Sequence, residues 1–174
     1  VIITDGSQPV GNGVGPALEA RDVLLVLQNK GPEDLKKKAV YMAGMIFEMV
    51  GFKEGKKMAL DILESGKAYK KFQEIAKAQG GNPNIQPENI KVGKYLHTYR
   101  AHLQGKVSYL SNDLISKIAK NAGAPTDKGA GMYLNKKVGD RVKNKESLFT
   151  VYAENKEKLK FAIKENLNEV MKIN

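Results

Sequence analysis

Along the first half of the chain apolar residues recur at three-and-four spacing, the mark of helices with one buried face. Leu18, Val23, Leu25 and Val26, with Leu24 and Leu27, follow Pro16, whose missing N–H suits the first position of a helix. Gly31-Pro32 stops that helix. Glu33 and Asp34 then place negative charge at the start of a second helix, where it favours the dipole. Leu35, Ala39, Val40, Met42, Ala43, Ile46, Phe47 and Val50 carry it to Gly51. A third helix is predicted over 53–63 with Met58, Leu60, Ile62 and Leu63. A fourth, over 67–79, carries Tyr69, Phe72, Ile75 and Ala76 and is closed by Gly80-Gly81. Ahead of them all, Val1-Ile2-Ile3 reads as a strand-like stub.

The pattern changes after residue 81. Residues 82–91 hold two prolines and three asparagines, which makes them a linker. Beyond it, Tyr95-Leu-His-Thr-Tyr and Lys106-Val-Ser-Tyr-Leu read as strands around the turn residue Gly105. Ser111 or Asn112 caps a short helix with Leu114, Ile115, Ile118 and Ala119, ended by Gly123. Met132-Tyr-Leu, Arg141-Val and Ser147-Leu-Phe-Thr-Val-Tyr are further strands. A closing helix is predicted over 156–172, with Leu159, Ala162, Ile163, Leu167, Val170 and Met171 on its apolar side. The fold class is therefore α+β: a strand stub and four helices, then a small strand-rich unit with a closing helix. No internal repeat or low-complexity tract interrupts it.

Composition narrows the choice of function. The 174 residues allow one mid-sized domain or two small ones, and 41% hydrophobic residues suffice for a core. No apolar run approaches the length needed to cross a bilayer, and no secretory signal pattern is present, so no membrane association is expected. The absence of Cys removes disulfides and thiolate-bound metals and points to the cytoplasm. His97 and His102, five apart, do not share a helix face and fit no zinc spacing, so no metal site is expected.

The net charge of +10 is uneven: residues 81–174 carry seventeen Lys/Arg against nine Asp/Glu. Such an excess can serve a polyanion. The lysines, however, alternate with acids in Glu154-Asn-Lys-Glu-Lys-Leu-Lys, and no Arg-rich stripe or stacking aromatic set accompanies them. They read as a solvated surface, and nucleic acid is not an expected partner.

Candidate chemistry centres on the run Thr4 to Arg21, which holds Gly6, Gly11, Gly13 and Gly15 with Pro9 and Pro16. A Gly-x-Gly-x-Gly loop that opens a helix invites a phosphate-cradling role, because helix N-termini present unpaired N–H groups to anions. The spacing argues against it. The dinucleotide fingerprint needs glycine where Pro16 stands and a strand where the second helix follows. The nucleotide P-loop needs Gly-Lys-Ser/Thr, which is absent. Thr126-Asp-Lys128-Gly-Ala resembles the lysine hairpin of a lipoyl carrier, but Ala122-Gly-Ala-Pro supplies no strand before it. No Ser–His pair and no acid–base pair of carboxylates stands out. Residue chemistry alone defines no active site.

The same run carries a family resemblance. Thr4-Asp-Gly-Ser-Gln-Pro-Val-Gly followed by Gly15-Pro-Ala-Leu-Glu-Ala-Arg-Asp-Val-Leu resembles a segment of the thymidine phosphorylase family, and most closely its archaeal branch of AMP (nucleoside monophosphate) phosphorylases. The similarity continues in order through Phe72-Gln-Glu-Ile-Ala-Lys-Ala-Gln-Gly80, Ala122-Gly-Ala-Pro-Thr-Asp-Lys-Gly-Ala-Gly131, Lys137-Val-Gly-Asp-Arg-Val and Leu148-Phe-Thr-Val-Tyr-Ala-Glu154. It implies phosphorolysis of a nucleoside monophosphate with inorganic phosphate as co-substrate and no other cofactor. A thymidine or pyrimidine nucleoside phosphorylase is the alternative within that family.

The resemblance also implies domains at 1–92, the last part of a larger α/β domain, and at 93–174, a barrel-sandwich-like C-terminal domain that takes part in homo-oligomer formation. An assembly module is accordingly the alternative outside enzymology. The family's phosphate-binding and base-binding motifs have no counterpart in these residues, so the reading expects them upstream and expects the chain alone to be inactive. Asp5, Gly6, Ser7 and Gln8 are the residues of this chain expected nearest the substrate pocket, because open α/β sheets place ligands after a strand. The other reading of those four is a loop held for packing between strand and helix.

Overall fold

The computed structural model describes residues 1–174, which form six α-helices and seven strands. By internal packing they make two compact units: residues 1–19 with 91–174, and residues 20–90. The opening run, which the sequence groups with the helices that follow it, thus packs with the strands instead. The architecture is α+β, with two antiparallel sheets that do not close into a barrel.

The helical unit follows its punctuation. Helix α1 (Pro16–Leu27) starts at Pro16, and α2 (Glu33–Met49) carries Glu33 and Asp34 in its first turn. Helices α3 (Gly55–Glu64) and α4 (Lys67–Ala78) complete the set. Gly51 and Gly80 adopt positive φ just past α2 and α4, and the next N–H of each reaches back to a carbonyl of the last turn, Phe52 to Phe47 and Gly81 to Ala76. Asn29 plays that part after α1. The centre of this unit is small: Val26, Val40, Ala59 and Leu63 are buried, with Leu27, Leu35, Phe47 and Leu60 packed partly around them.

The strand-rich unit is better filled. Strands β1 (Gly13–Val14), β4 (Gly131–Leu134), β6 (Ser147–Ala153) and β2 (Tyr95–Arg100) form one sheet in that spatial order. Strands β5 (Arg141–Val142), β3 (Gly105–Leu110) and β7 (Met171–Ile173) form the other. Strand β6 lies between β4 and β2, with α5 (Asn112–Asn121) and α6 (Lys156–Ala162) against it, so Leu148, Phe149 and Val151 are almost fully enclosed. That enclosure explains a run of apolar residues without alternation. Thr150, buried within it, shares a hydrogen bond with the Thr98 hydroxyl across the strand pair at 3.1 Å. Ser111 caps α5 by accepting from Leu114 N, and Asn155 caps α6 by accepting from Glu157 N.

Three expectations fail, each because strand pairing is settled by distant partners. Val1–Ile3 forms no strand; Val1 and Ile3 stand fully exposed without a ladder neighbour. Gly105 is no hairpin turn but the first residue of β3, paired with Val142, while β2 pairs with β6 in the other sheet. The helix expected over 156–172 stops at Ala162, passes through a 3-10 turn at Leu167–Glu169, and ends as β7. There Met171 lies opposite Leu110 and Ile173 opposite Val107, which fills the second edge of β3. The helical spacing of Leu159, Ala162, Leu167 and Val170 still brings all four into one core. Burial is satisfied by a different backbone.

Candidate functional site

The only feature with both unusual sequence and convergent polar contacts is the loop from Asp5 to Gly15. Its tip folds on itself. The Asp5 carboxylate accepts from Ser7 N at 2.8 Å and from the Ser7 hydroxyl at 3.0 Å, a turn that Asp favours for this reason. The Gly6 carbonyl accepts from the Asn112 side-chain amide at the start of α5, 2.8 Å away. The Gln8 side-chain oxygen accepts from Val138 N at 3.0 Å. Asp5, Gly6 and Ser7 are exposed and Gln8 is half-buried.

The rest of the loop is stitched to the strand-rich unit. The Lys137 ammonium donates to the carbonyls of Pro9 and Gly11. Leu134 N donates to the Asn12 carbonyl, and Gly13 and Val14 then pair with Tyr133 and Met132 as β1. Gly15 (φ 122°) and Gly131 lie backbone to backbone: a Cβ on Gly15 would strike the Ala130 carbonyl, and one on Gly131 the Val14 carbonyl. Glycine is required by this contact.

This geometry argues against a phosphate cradle at the start of α1. Two of the N–H groups an anion would use there are engaged: Gly15 N donates to the Glu19 carboxylate at 2.9 Å, and Ala17 N to the Lys128 carbonyl at 3.0 Å. The adjacent cleft of about 350 Å³ is lined by Val14, Pro16, Ser116, Lys120 and that same Glu19. An internal carboxylate takes the place of the ligand.

The four candidates Asp5, Gly6, Ser7 and Gln8 are brought together, but not behind a strand, since Val1–Ile3 is irregular. The argument from sheet topology therefore does not apply to them within this chain. The sequence reading also missed Asn112 and Val138 as anchors of Gly6 and Gln8, and Lys137 as the anchor of Pro9 and Gly11. No local signal marks these three, because their partners lie more than a hundred residues away.

Other titratable groups have structural partners. His102 meets the Tyr99 ring edge-on at 5.5 Å, and Tyr99 stacks on Phe149 at 5.0 Å. Burial there raises the Tyr99 phenol above its ordinary pKa. The Glu146 carboxyl is held below its ordinary pKa by its hydrogen bond to the Lys136 ammonium and, next, by Lys143 N. The Thr126–Lys128 segment is a turn, not a lipoyl-type hairpin; Asp127 pairs with Lys158 at 2.7 Å. No three His, Asp or Glu side chains converge as a metal cluster, and no helix is long and apolar enough to cross a membrane.

Similarity to known proteins follows the same outline. Residues 106–174 match the pyrimidine nucleoside phosphorylase C-terminal domain. The AMP phosphorylase of Thermococcus sibiricus is 50% identical over 92% of this chain, and that of Thermococcus kodakarensis 51% identical over 94%. The AMP phosphorylase of Methanocaldococcus jannaschii is 47% identical over 93%. In each case the chain spans 33% of the relative's length, about a third, and aligns with its C-terminal part.

Proposed function

We infer that the chain belongs to the family of these phosphorylases, in its AMP phosphorylase branch, and that it serves as the C-terminal part of an enzyme that phosphorolyses nucleoside 5′-monophosphates. In that reaction an oxygen of inorganic phosphate forms a bond to C1′ of the ribose as the C1′–N bond to the base breaks. AMP and phosphate give adenine, which takes up a proton, and ribose 1,5-bisphosphate. Phosphate is the co-substrate, and the scheme calls for no further cofactor and no metal. The observation that carries this reading is identity of about half to AMP phosphorylases across more than nine tenths of the chain.

The chemistry needs donors around the phosphate and a group to protonate the departing base. In this chain two backbone donors of the glycine-rich loop are taken by Glu19 and Lys128, and two of its carbonyls by Lys137. We therefore propose that the 174 residues alone are inactive. Within the enzyme we assign 1–92 to the larger α/β domain, with its opening residues 1–19 packed on the strand-rich unit, and 93–174 to the C-terminal domain, a division the match at 106–174 supports for its second part. Asp5, Gly6 and Ser7 stay turned to solvent and are the residues we place at the rim of the substrate pocket, with Gln8 as their anchor. A cytoplasmic homo-oligomer completes the proposal.

The test is a chimera in which this chain replaces the aligned third of the Thermococcus kodakarensis relative. The chimera is expected to release adenine from AMP only when phosphate is supplied, and the chain alone to release none. Adenine release by the isolated chain would overturn the assignment of the active site elsewhere. The description of the matched domain as pyrimidine nucleoside phosphorylase favours a second reading, so CMP, UMP and thymidine belong in the same assay. Turnover of thymidine in preference to AMP would select it. In the chimera, Asp5→Asn with Ser7→Ala is expected to raise KM for AMP severalfold at unchanged Tm; an unchanged KM would leave the loop a purely structural role.

A further inference from the structure

The helical unit, residues 20–90, gathers exposed apolar side chains on one face of a helix. Along α2, residues 39–50 contain a single charged side chain, Glu48. Met42, Ile46, Met49 and Val50 recur at i, i+4, i+7 and i+8, and are 48%, 61%, 82% and 67% exposed. At about 100° per residue these four share one face of the helix. Phe52, just past the helix, is 51% exposed and adds to it. The adjoining face of α2, with Leu35, Ala39, Ala43 and Phe47, lines an apolar cleft of about 260 Å³ that Val23 and Ile62 help to form. No charged or polar side chain lines that cleft.

Contiguous exposed apolar surface of this kind marks an interaction site in a soluble fold. The lysines of α2 are confined to positions 36–38 at its start. Three methionines, Met42, Met45 and Met49, give the later turns side chains that adapt to a facing surface. A helix lying in a lipid surface carries Lys and Arg along its polar face, and between the lysines at 36–38 and Lys53 this stretch has none. One large source of covering surface is at hand: about two thirds of each relative lies outside the aligned third.

We propose that the outward face of α2, with Met42, Ile46, Met49 and Val50, and the cleft beside it are the seat of the polypeptide that forms the other two thirds of this chain's relatives. The contact is apolar, with Ile46 and Met49 at its centre. The proposal rests on the family reading above, and names where in this chain the larger enzyme is joined.

The chain lacks Cys, so a single introduced thiol reports burial without background. Met49→Cys is made in the isolated chain and in the chimera, with Lys37→Cys as a control on a side chain 74% exposed. Maleimide labelling of Cys at 49 is expected to slow at least tenfold from chain to chimera, with the control unchanged. Equal rates at position 49 would overturn the proposal. So would protection of position 49 in the isolated chain that rises with its concentration, since the occupant is then a second copy. Should the chimera prove insoluble, the same two cysteines at the aligned positions of the full-length Thermococcus kodakarensis relative read the same burial: protection supports the seat, free labelling refutes it. AMP turnover is scored separately. Protection without turnover counts against the catalytic reading alone, and turnover with a freely labelled position 49 counts against the seat alone.

Discussion

At the scale of single residues, the glycine-rich run is a packing device. Gly15 holds a φ of 122° while its Cα faces the Ala130 carbonyl, so a side chain there meets both torsional strain and a clash. Gly15→Ala is expected to lower stability by about 2–4 kcal/mol in urea unfolding, against less than about 0.5 for Gly6→Ala, whose Cβ would meet nothing. Glu146 gives a second residue-level test. Its folded pKa lies below the unfolded value, so its pairing contributes stability above the unfolded pKa and loses it as pH falls through the folded one. NMR titration should place its midpoint below that of an ordinary glutamate, and Lys136→Met should raise it. The glycine spacing at 11–15 was legible in the sequence, but its packing role was not. Lys137 was not, because its partners Pro9 and Gly11 are recognised only as carbonyls held in place by the fold.

At the scale of elements, helices were legible where the local sequence carries its own stop. Pro16, Gly31-Pro32, Gly51 and Gly80-Gly81 bound four helices to within a few residues of their observed ends. Strands β2, β3, β4 and β6 were legible from apolar runs. Their partners were not, and the closing segment shows why. Val170 and Met171 satisfy a helical apolar face as well as a strand edge, and the open side of β3 decides between them. Secondary 13C shifts at 171–173 should have strand sign. Val170→Ala is expected to cost about 2 kcal/mol, because Val170 is fully buried and loses two methyl groups of packing. Helical shifts through 172 would contradict this description of the chain's last segment.

For the whole molecule, the two units differ in how well they are filled. The strand-rich unit buries Ile118, Met132, Phe149, Val151 and Val170 completely, whereas the helical unit centres on four smaller or partly wrapped residues. Native-state hydrogen exchange should show amides of α2 and α4 opening at free energies at least about 2 kcal/mol below those of β4 and β6. Equal protection across both units would mean that the helical unit needs no cover. The sequence by itself determined the α+β class, the four leading helices and, through ordered motifs across its length, the resemblance to phosphorylases. These rest on local propensity, periodicity and residue identity, which are properties of short segments. Tertiary structure alone decided that the opening run packs with the strands, that residues 171–173 form β7, and that Ala17 N at the start of α1 donates to the Lys128 carbonyl. Each of those outcomes depends on hydrogen bonds between residues far apart in the chain, and such partners exist only once the backbone has folded.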